Sequence, residues 1–482
     1  MQTNGFGRLL LFLFGVVGVC FCMYMLPLQW GDYRIKRVDL LSELRKDKPN
    51  ILMDSLQMVL KEDTIVEPVL VKTDSTVDLR RLQQRDSLFK VLYKNALSAD
   101  STGRNIEDNT LGRVGLKRFF AALSNVSKRE RPVRIAFLGD SFTEGDILVG
   151  RFRYEMQKKF GGRGVGFVHI TTPSAQYRPT TKQKAFGWKV HSLLRDKGKH
   201  RYTLPAMLFE ADSTENLFSL KLTERFNRDD SASSIKIFYE RNIASSVRII
   251  SDEIDTCEIM LPRGENIQYV EKKGEVSKVD LSFSQTDSLR LLGVAMEDNH
   301  GVIVDNFAMR GSSGYIMQQL DSARCMELNN HRPYDLIVLQ YGLNVVNDSI
   351  LDYRWYGARM TKTIKHLQRC FPQADILMFG VSDRGKQENG TIHTMPAVLS
   401  MLHTQRNAAR KAGVPFWNTF GAMGGEGSIA RFVEKGWGSK DYTHISYRGG
   451  YELSKILMEA LMKEKQFHDR STIEVNEQST EN

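Results

Sequence analysis

The chain has 482 residues, with 67 lysines and arginines against 57 acidic residues, a formal net charge of +10 and 41% hydrophobic residues. This is the composition of an ordinary globular protein with room for two or three domains. The positive charge is spread out, with no basic block and no aromatic-basic repeat, which argues against a nucleic-acid partner. Three cysteines beyond residue 30 (Cys257, Cys325 and Cys370) are too few for a disulfide framework.

The first element is the uncharged run LLLFLFGVVGVCFCMYMLPLQW, residues 9–30. About 20 apolar residues cross the hydrocarbon core of a bilayer as a helix. No small-residue cleavage site stands out, so residues 1–30 are expected to be an uncleaved transmembrane signal anchor. Basic residues are denser after the run (Arg34, Lys36, Arg37, Arg45, Lys46, Lys48) than before it. By charge bias alone that would keep the body in the cytoplasm. Long domains translocate regardless of charge, and the chemistry below favours a body in the periplasm or cell envelope. Residues 31–110 read as a polar stalk, with an amphipathic helix at 79–97 and a loop at 98–110.

A helix with Leu116, Phe119, Phe120 and Leu123 on one face is expected within 111–126. Beyond it, apolar strands alternate with helices. VRIAFLGD (133–140) precedes a helix at 147–160. VIVDNFA (302–308) precedes one at 316–328. DLIVLQYG (335–342) precedes one at 356–371, and ADILMFGVS (374–382) one at 397–413. A short strand at 414–420 and a helix at 449–465 close the series, and 467–482 reads as a polar tail. Near-continuous apolar strands alternating with helices predict an α/β fold, a parallel sheet covered on both faces. Residues 170–299 break the rhythm with short β-like runs at sandwich spacing, which predicts an inserted β-sandwich domain. The α/β core is then 111–169 and 300–466.

Candidate chemistry collects at the strand ends. The first strand delivers Ser141 in GDSFTEGD, the second is followed by RGSSG (310–314), and the third ends in YGLN (341–344). Before the last helix stands KDYTHISYRGGY, with Asp441 three residues ahead of His444. A serine nucleophile needs a base, a group that orients the base, and donors for the oxyanion. Asp-x-x-His in one loop lets a carboxylate fix the imidazole tautomer while the other nitrogen faces the serine. Glycine offers an unobstructed N–H and Asn344 a side-chain NH₂. The glycine-rich GGRGVG (161–166) follows a helix and not a strand, so no phosphate loop is read. No cofactor and no metal site is read from the sequence.

Ser, Gly, Asn and His in that order, with Gly-Asp-Ser first and Asp-x-x-His last, resemble the SGNH (GDSL) hydrolase superfamily over about 111–168 and 300–465. GDSFTEGD, KKFGGRGVGFV (158–168), the β-rich insert and FWNTFGAMGGEGSIARFV (416–433) resemble in particular its bacterial peptidoglycan O-acetylesterase branch, whose insert is similar to carbohydrate-binding modules. The resemblance implies a flavodoxin-like three-layer α/β/α core and esterase activity on an acetylated glycan. It implies Ser141 as nucleophile, His444 as general base and Asp441 as its orienter. The oxyanion hole would be the Ser141 and Gly314 N–H groups with Asn344. Asp140 reads as a brace of the turn. Gly311 stays open as a rival to Gly314, because Asn306 lies farther from the glycine than in the branch pattern. Phe142 stands where the branch often has histidine, and Val345 where an acidic residue is common. The same triad would also serve an O-acetyltransferase, and a glycan-binding protein with a vestigial hydrolase domain is the alternative from another class.

Overall fold

The structure is a computed structural model. It describes residues 101–480, apart from 197, 213–214, 226, 228, 242–244, 285 and 287–288, together with the two short paired strands 29–30 and 33–34. The expected membrane anchor, and the stalk up to residue 100, lie outside the described residues except for those two strands. Among the described residues no helix is long and apolar enough to cross a membrane.

In chain order the α/β part begins with β1 (Ile106–Glu107), α1 (Lys117–Ser124), β2 (Val133–Gly139) and α2 (Val149–Phe160). The β-rich region follows as β3 (Gly164–Val168), β4 (Thr181–Phe186), β5 (Trp188–Ser192), the short α3 (Leu193–Asp196), β6 (Met207–Ala211) and β7 (Asn216–Leu222). It continues with β8 (Ala232–Arg241), β9 (Ser245–Ser251), β10 (Asp255–Leu261), β11 (Gln268–Val276), β12 (Lys278–Ser284) and β13 (Arg290–Glu297). The α/β part resumes with β14 (Val302–Asn306), α4 (Ser322–His331), β15 (Leu336–Gln340), α5 (Arg354–Cys370) and β16 (Asp375–Phe379). The hairpin β17 (Gly385–Glu388) and β18 (Thr391–Thr394), α6 (Pro396–Ala412), β19 (Phe416–Trp417), α7 (Thr419–Ala422), α8 (Ser428–Glu434) and α9 (Tyr447–Thr480) complete it.

The central sheet runs β14-β2-β15-β16-β19-β1, parallel from β14 to β19 with β1 antiparallel at the edge. Counted along the chain, its parallel strands lie in the order 2-1-3-4-5, the flavodoxin-like doubly wound arrangement. Every residue of β2, β15 and β16 is buried, as a sheet covered on both faces requires. The helices start and stop on local signals. Asp321 caps α4 by accepting from the Arg324 N–H at 3.1 Å, which is why the expected helix at 316–328 is instead a 3₁₀ turn at 315–319 followed by α4. Pro396 opens α6 and a left-handed Gly413 ends it.

Two further differences from expectation concern the ends of the α/β part. The loop expected at 98–110 contains β1, whose Ile106 and Glu107 pair with β19. The closing helix continues to Thr480, through the residues read as a polar tail.

The β-rich region forms two antiparallel sheets, β11-β8-β13-β6-β5 and β10-β9-β12-β7-β4. Their facing side chains share one core, which includes Phe218, Leu220, Ile237, Tyr239, Val247, Leu281 and Val294. This is a sandwich. The first sheet turns its other face to the α/β part: Phe167, Phe238, Leu292 and Ala295 belong to the core of the parallel sheet. β3, drawn from the glycine-rich run, pairs with β13 and so joins the sandwich sheet. Its glycine is a matter of space, since a Cβ on Gly166 would overlap the Asp305 carboxylate.

Candidate active site

In a 2-1-3-4-5 sheet the crevice lies beyond the carboxyl ends of the strands, where the chain's first and third strands separate. Here those strands are β2 and β15. Ser141 stands two residues beyond β2 and Asn344 four beyond β15, so the topology brings both to the same crevice.

Ser141 is buried, and its Oγ lies 2.9 Å from His444 Nε2. His444 Nδ1 lies 2.7 Å from Asp441 Oδ2. With the ring proton on Nδ1, held by the carboxylate, the Nε2 lone pair faces the serine hydroxyl. The loop that carries the pair is closed by its own backbone. Gly438 bridges Ile445, the Ser439 N–H donates to the His444 carbonyl at 2.8 Å, and Tyr442 takes a left-handed φ of 51°. Asp441 Oδ1 also accepts from the N–H groups of Thr443 (2.9 Å) and His444 (3.0 Å). Burial opposes the Asp441 charge, but these N–H groups and the imidazole hold its carboxyl below the usual range.

Gly314 and Gly311 differ in their surroundings. Gly314 is buried at φ 87°, and a Cβ there would stand 2.5 Å from the Tyr341 ring, so only glycine fits. Gly311 is exposed, with nothing within 4 Å of where its Cβ would be. The Gly314 N–H makes only a 3.3 Å contact with Ser312 Oγ. Asn344 Nδ2 donates to the Ser312 carbonyl at 3.1 Å and, at a longer 3.3 Å, to Asp140 Oδ2. It thereby ties the ends of three strands together. Asp140 is wholly buried and accepts from the Phe142 N–H at 3.0 Å. Burial raises its carboxyl to about 7, against the hydrogen bonds it accepts. Phe142 itself is fully buried. It packs into the core and is not placed to meet a substrate.

One group of residues was not read from the sequence. Asp146, left-handed at φ 65° and buried, sits at the end of the serine turn. It meets Arg153 of α2 (2.9 Å), Arg178 (2.8 Å) and the Thr180 hydroxyl (2.6 Å) from the sandwich region, and Asn306 Nδ2 (3.0 Å) at the end of β14. Burial alone would raise its carboxyl; the two guanidinium groups hold it far below the usual range. Asn306 also donates to the Thr143 carbonyl at 2.9 Å, so the asparagine that lies off the family spacing braces the serine turn. The Tyr447 hydroxyl lies 3.1 Å from the Gly145 carbonyl and 2.7 Å from that of Tyr177, linking the turn, the sandwich region and α9.

No model of a known protein family matches the chain, and no curated protein does. Among solved structures it is similar to a peptidoglycan O-acetylesterase, at 21% identity and a TM-score of 0.61, over 72% of this chain and 96% of that one. The chain shares the fold of that enzyme. Fainter likenesses reach a family two carbohydrate esterase from Cellvibrio japonicus (11% identity, 59% of this chain and 98% of that one, TM-score 0.25). They also reach a family 29 carbohydrate-binding module from Piromyces equi (8% identity, 29% and 89%, TM-score 0.19).

Proposed function

We propose that the protein is a serine esterase that removes O-acetyl groups from a cell-envelope polysaccharide such as peptidoglycan. The observation that carries this reading is the unbroken line Asp441–His444–Ser141 at the crevice of the parallel sheet, with contacts of 2.7 and 2.9 Å. His444 Nε2 takes the Ser141 proton as Oγ attacks the acetyl carbonyl, and Asp441 stabilises the imidazolium. The developing oxyanion is met by the N–H groups of Ser141 and Gly314 and by Asn344 Nδ2, whose long contact to Asp140 is the one to give way. Each such donor contributes about 3 kcal/mol to the transition state. The proton then passes from His444 to the sugar oxygen as the C–O bond breaks. Water, activated by the same imidazole, releases acetate from Ser141.

The substrate class is supported by the enzyme whose fold the chain shares, a peptidoglycan O-acetylesterase. On this reading residues 1–30 anchor the chain, residues 31 to about 100 form a stalk, and the body stands in the periplasm or envelope. The sandwich, which packs against the core that carries Ser141, helps to hold the polymer.

The test is acetate release from p-nitrophenyl acetate and from O-acetylated peptidoglycan. Ser141→Ala is expected to fall to background on both while its circular dichroism and Tm stay those of the parent. Undiminished release by a folded Ser141→Ala protein overturns the reading. Acetyl groups recovered on an added glycan, with little free acetate, would mark a transferase.

A further inference from the structure

Away from the serine, three side chains of metal-ligand type converge where the sandwich meets the α/β core. His191 lies on β5, Asp196 closes α3, and His200 lies in the segment that follows. One ring nitrogen of each histidine and one carboxylate oxygen of Asp196 all lie within 4.8 Å of one another. His191 Nδ1 is 3.6 Å from Asp196 Oδ2, and the two imidazole centroids are 4.2 Å apart. Ligand atoms around a tetrahedral ion at about 2.0–2.1 Å stand about 3.3 Å from one another. The His191–Asp196 pair is already near that spacing, and His200 needs only a side-chain adjustment to join it.

The surroundings orient these groups as ligands. His191 Nε2 lies 3.0 Å from Glu210 Oε2, so the ring donates outward to a carboxylate and turns Nδ1 toward the cluster. An imidazole that binds a metal through one nitrogen typically donates through the other in this way. The Ser192 N–H (2.8 Å) and the Tyr202 hydroxyl (2.7 Å) both donate to Asp196 Oδ2, which fixes the carboxylate. Among the described residues no hydrogen bond joins the two imidazoles, although their rings are in contact. A two-nitrogen, one-oxygen set suits zinc and its neighbours, whereas calcium and magnesium take oxygen ligands.

We propose that His191, Asp196 and His200 bind one divalent transition-metal ion of the zinc class, with water as a fourth ligand. The ion joins β5, α3 and the segment leading to Tyr202. That segment supports the core: the Tyr202 carbonyl accepts from the Asp321 N–H at 2.8 Å, and Arg201 pairs with Asp321 at 2.6 Å. Asp321 lies two residues beyond the 3₁₀ turn 315–319 that Gly314 opens. The site therefore staples the sandwich to the support of the glycine loop, and takes no part in bond making.

The test uses purified protein freed of metal by chelation. Calorimetric titration with Zn²⁺ is expected to show one ion per chain, and Co²⁺ to give the visible absorption of a four-coordinate complex. His200→Ala should abolish both signals. Glu210→Gln, which takes the charge from the outer hydrogen bond and from a 4.0 Å contact with Arg290 but leaves the three ligands in place, should weaken Zn²⁺ binding about 10- to 100-fold. Zn²⁺ should raise the Tm of the parent and not that of His200→Ala. Equal turnover of p-nitrophenyl acetate by metal-free parent and metal-free His200→Ala shows that the variant is folded; if it is not, His200→Gln replaces it. No Zn²⁺ binding by the parent, or equal binding by parent and folded variant, overturns the site and leaves the esterase reading untouched.

Discussion

The two arms of the candidate triad are built in opposite ways. The serine arm, residues 140–146, is buried: Asp140 and Asp146 are 0% and 1% exposed, and the turn is tied to α2, to β14, to the sandwich region and to α9. The histidine arm, residues 438–446, is a surface loop with the Asp441 and His444 side chains 47% and 34% exposed. Its shape comes from its own backbone, from Asp441 accepting two N–H groups within three residues, and from one long-range bond, the Gly385 N–H to the Tyr442 carbonyl at 2.8 Å. The nucleophile is thus fixed mainly by long-range contacts and the base mainly by local ones. Ser141 aside, whose loss removes the nucleophile itself, damage to the first arm should register as lost stability, and damage to the second as lost turnover in an intact fold.

The largest expected effect lies in the histidine arm. His444→Ala removes the base and should lower kcat by about 10⁶-fold. Asp441→Asn leaves a base in place but removes the charge that selects its tautomer, and should cost about 10³- to 10⁴-fold. Steady-state rates on p-nitrophenyl acetate, with Tm measured beside them, check both. The Tm should change little, because neither side chain is buried. A large drop in Tm for either variant would erase the contrast between the arms, and parent-like rates for Asp441→Asn would remove it from the triad.

Next comes the serine arm. Asp146→Asn leaves the buried Arg153 and Arg178 without their counter-charge. Removing one partner of a buried ion pair costs about 3–5 kcal/mol. Denaturant unfolding should show that loss, and turnover should fall only as far as the turn loosens. Unchanged stability would mean that the turn holds its shape without this network.

The same contrast governs what the sequence could show. The histidine arm is local, so Asp441 and His444 could be read from a spacing of three. Ser141, Gly314 and Asn344 could be placed at one sheet edge because each follows the carboxyl end of an apolar strand, and alternation of strands with helices dictates a parallel sheet. Asp146 could not be read. Its partners Arg178 and Thr180 are 32 and 34 residues away, in the region that breaks the α/β rhythm, and nothing in the spacing marks them. β3 was hidden for a related reason. Its glycines resemble a loop, and only the closeness of Asp305 and β13 explains them. The hairpin β17–β18, whose Gly385 N–H donates to the Tyr442 carbonyl of the histidine arm at 2.8 Å, carries no motif. The His191, Asp196 and His200 cluster spans ten residues without a known metal-ligand spacing, so only the bend through α3 draws it together.

The finest test of the buried arm is its response to pH. Asp140 titrates near 4 in an unfolded chain and at about 7 in the folded one, because burial disfavours its charge. Between those values the folded state holds a proton that the unfolded state has released. Stability contributed by this group is therefore complete below pH 4 and is lost as pH rises toward 7, at a slope of up to about 1.4 kcal/mol per pH unit. Asp140→Asn cannot titrate, so it removes that slope while keeping an oxygen for the Phe142 N–H. The stability of the parent relative to the variant should fall from pH 5 toward pH 7 and level off above it. Paired denaturant midpoints at four pH values across that range measure the difference free of the other titrating groups, which the two proteins share. Asp441, held below its usual range, is ionised throughout the window and adds no slope of its own. A constant difference between the proteins from pH 5 to 8 would place the Asp140 titration outside this window, and the turn would then have to carry its charge on hydrogen bonds alone.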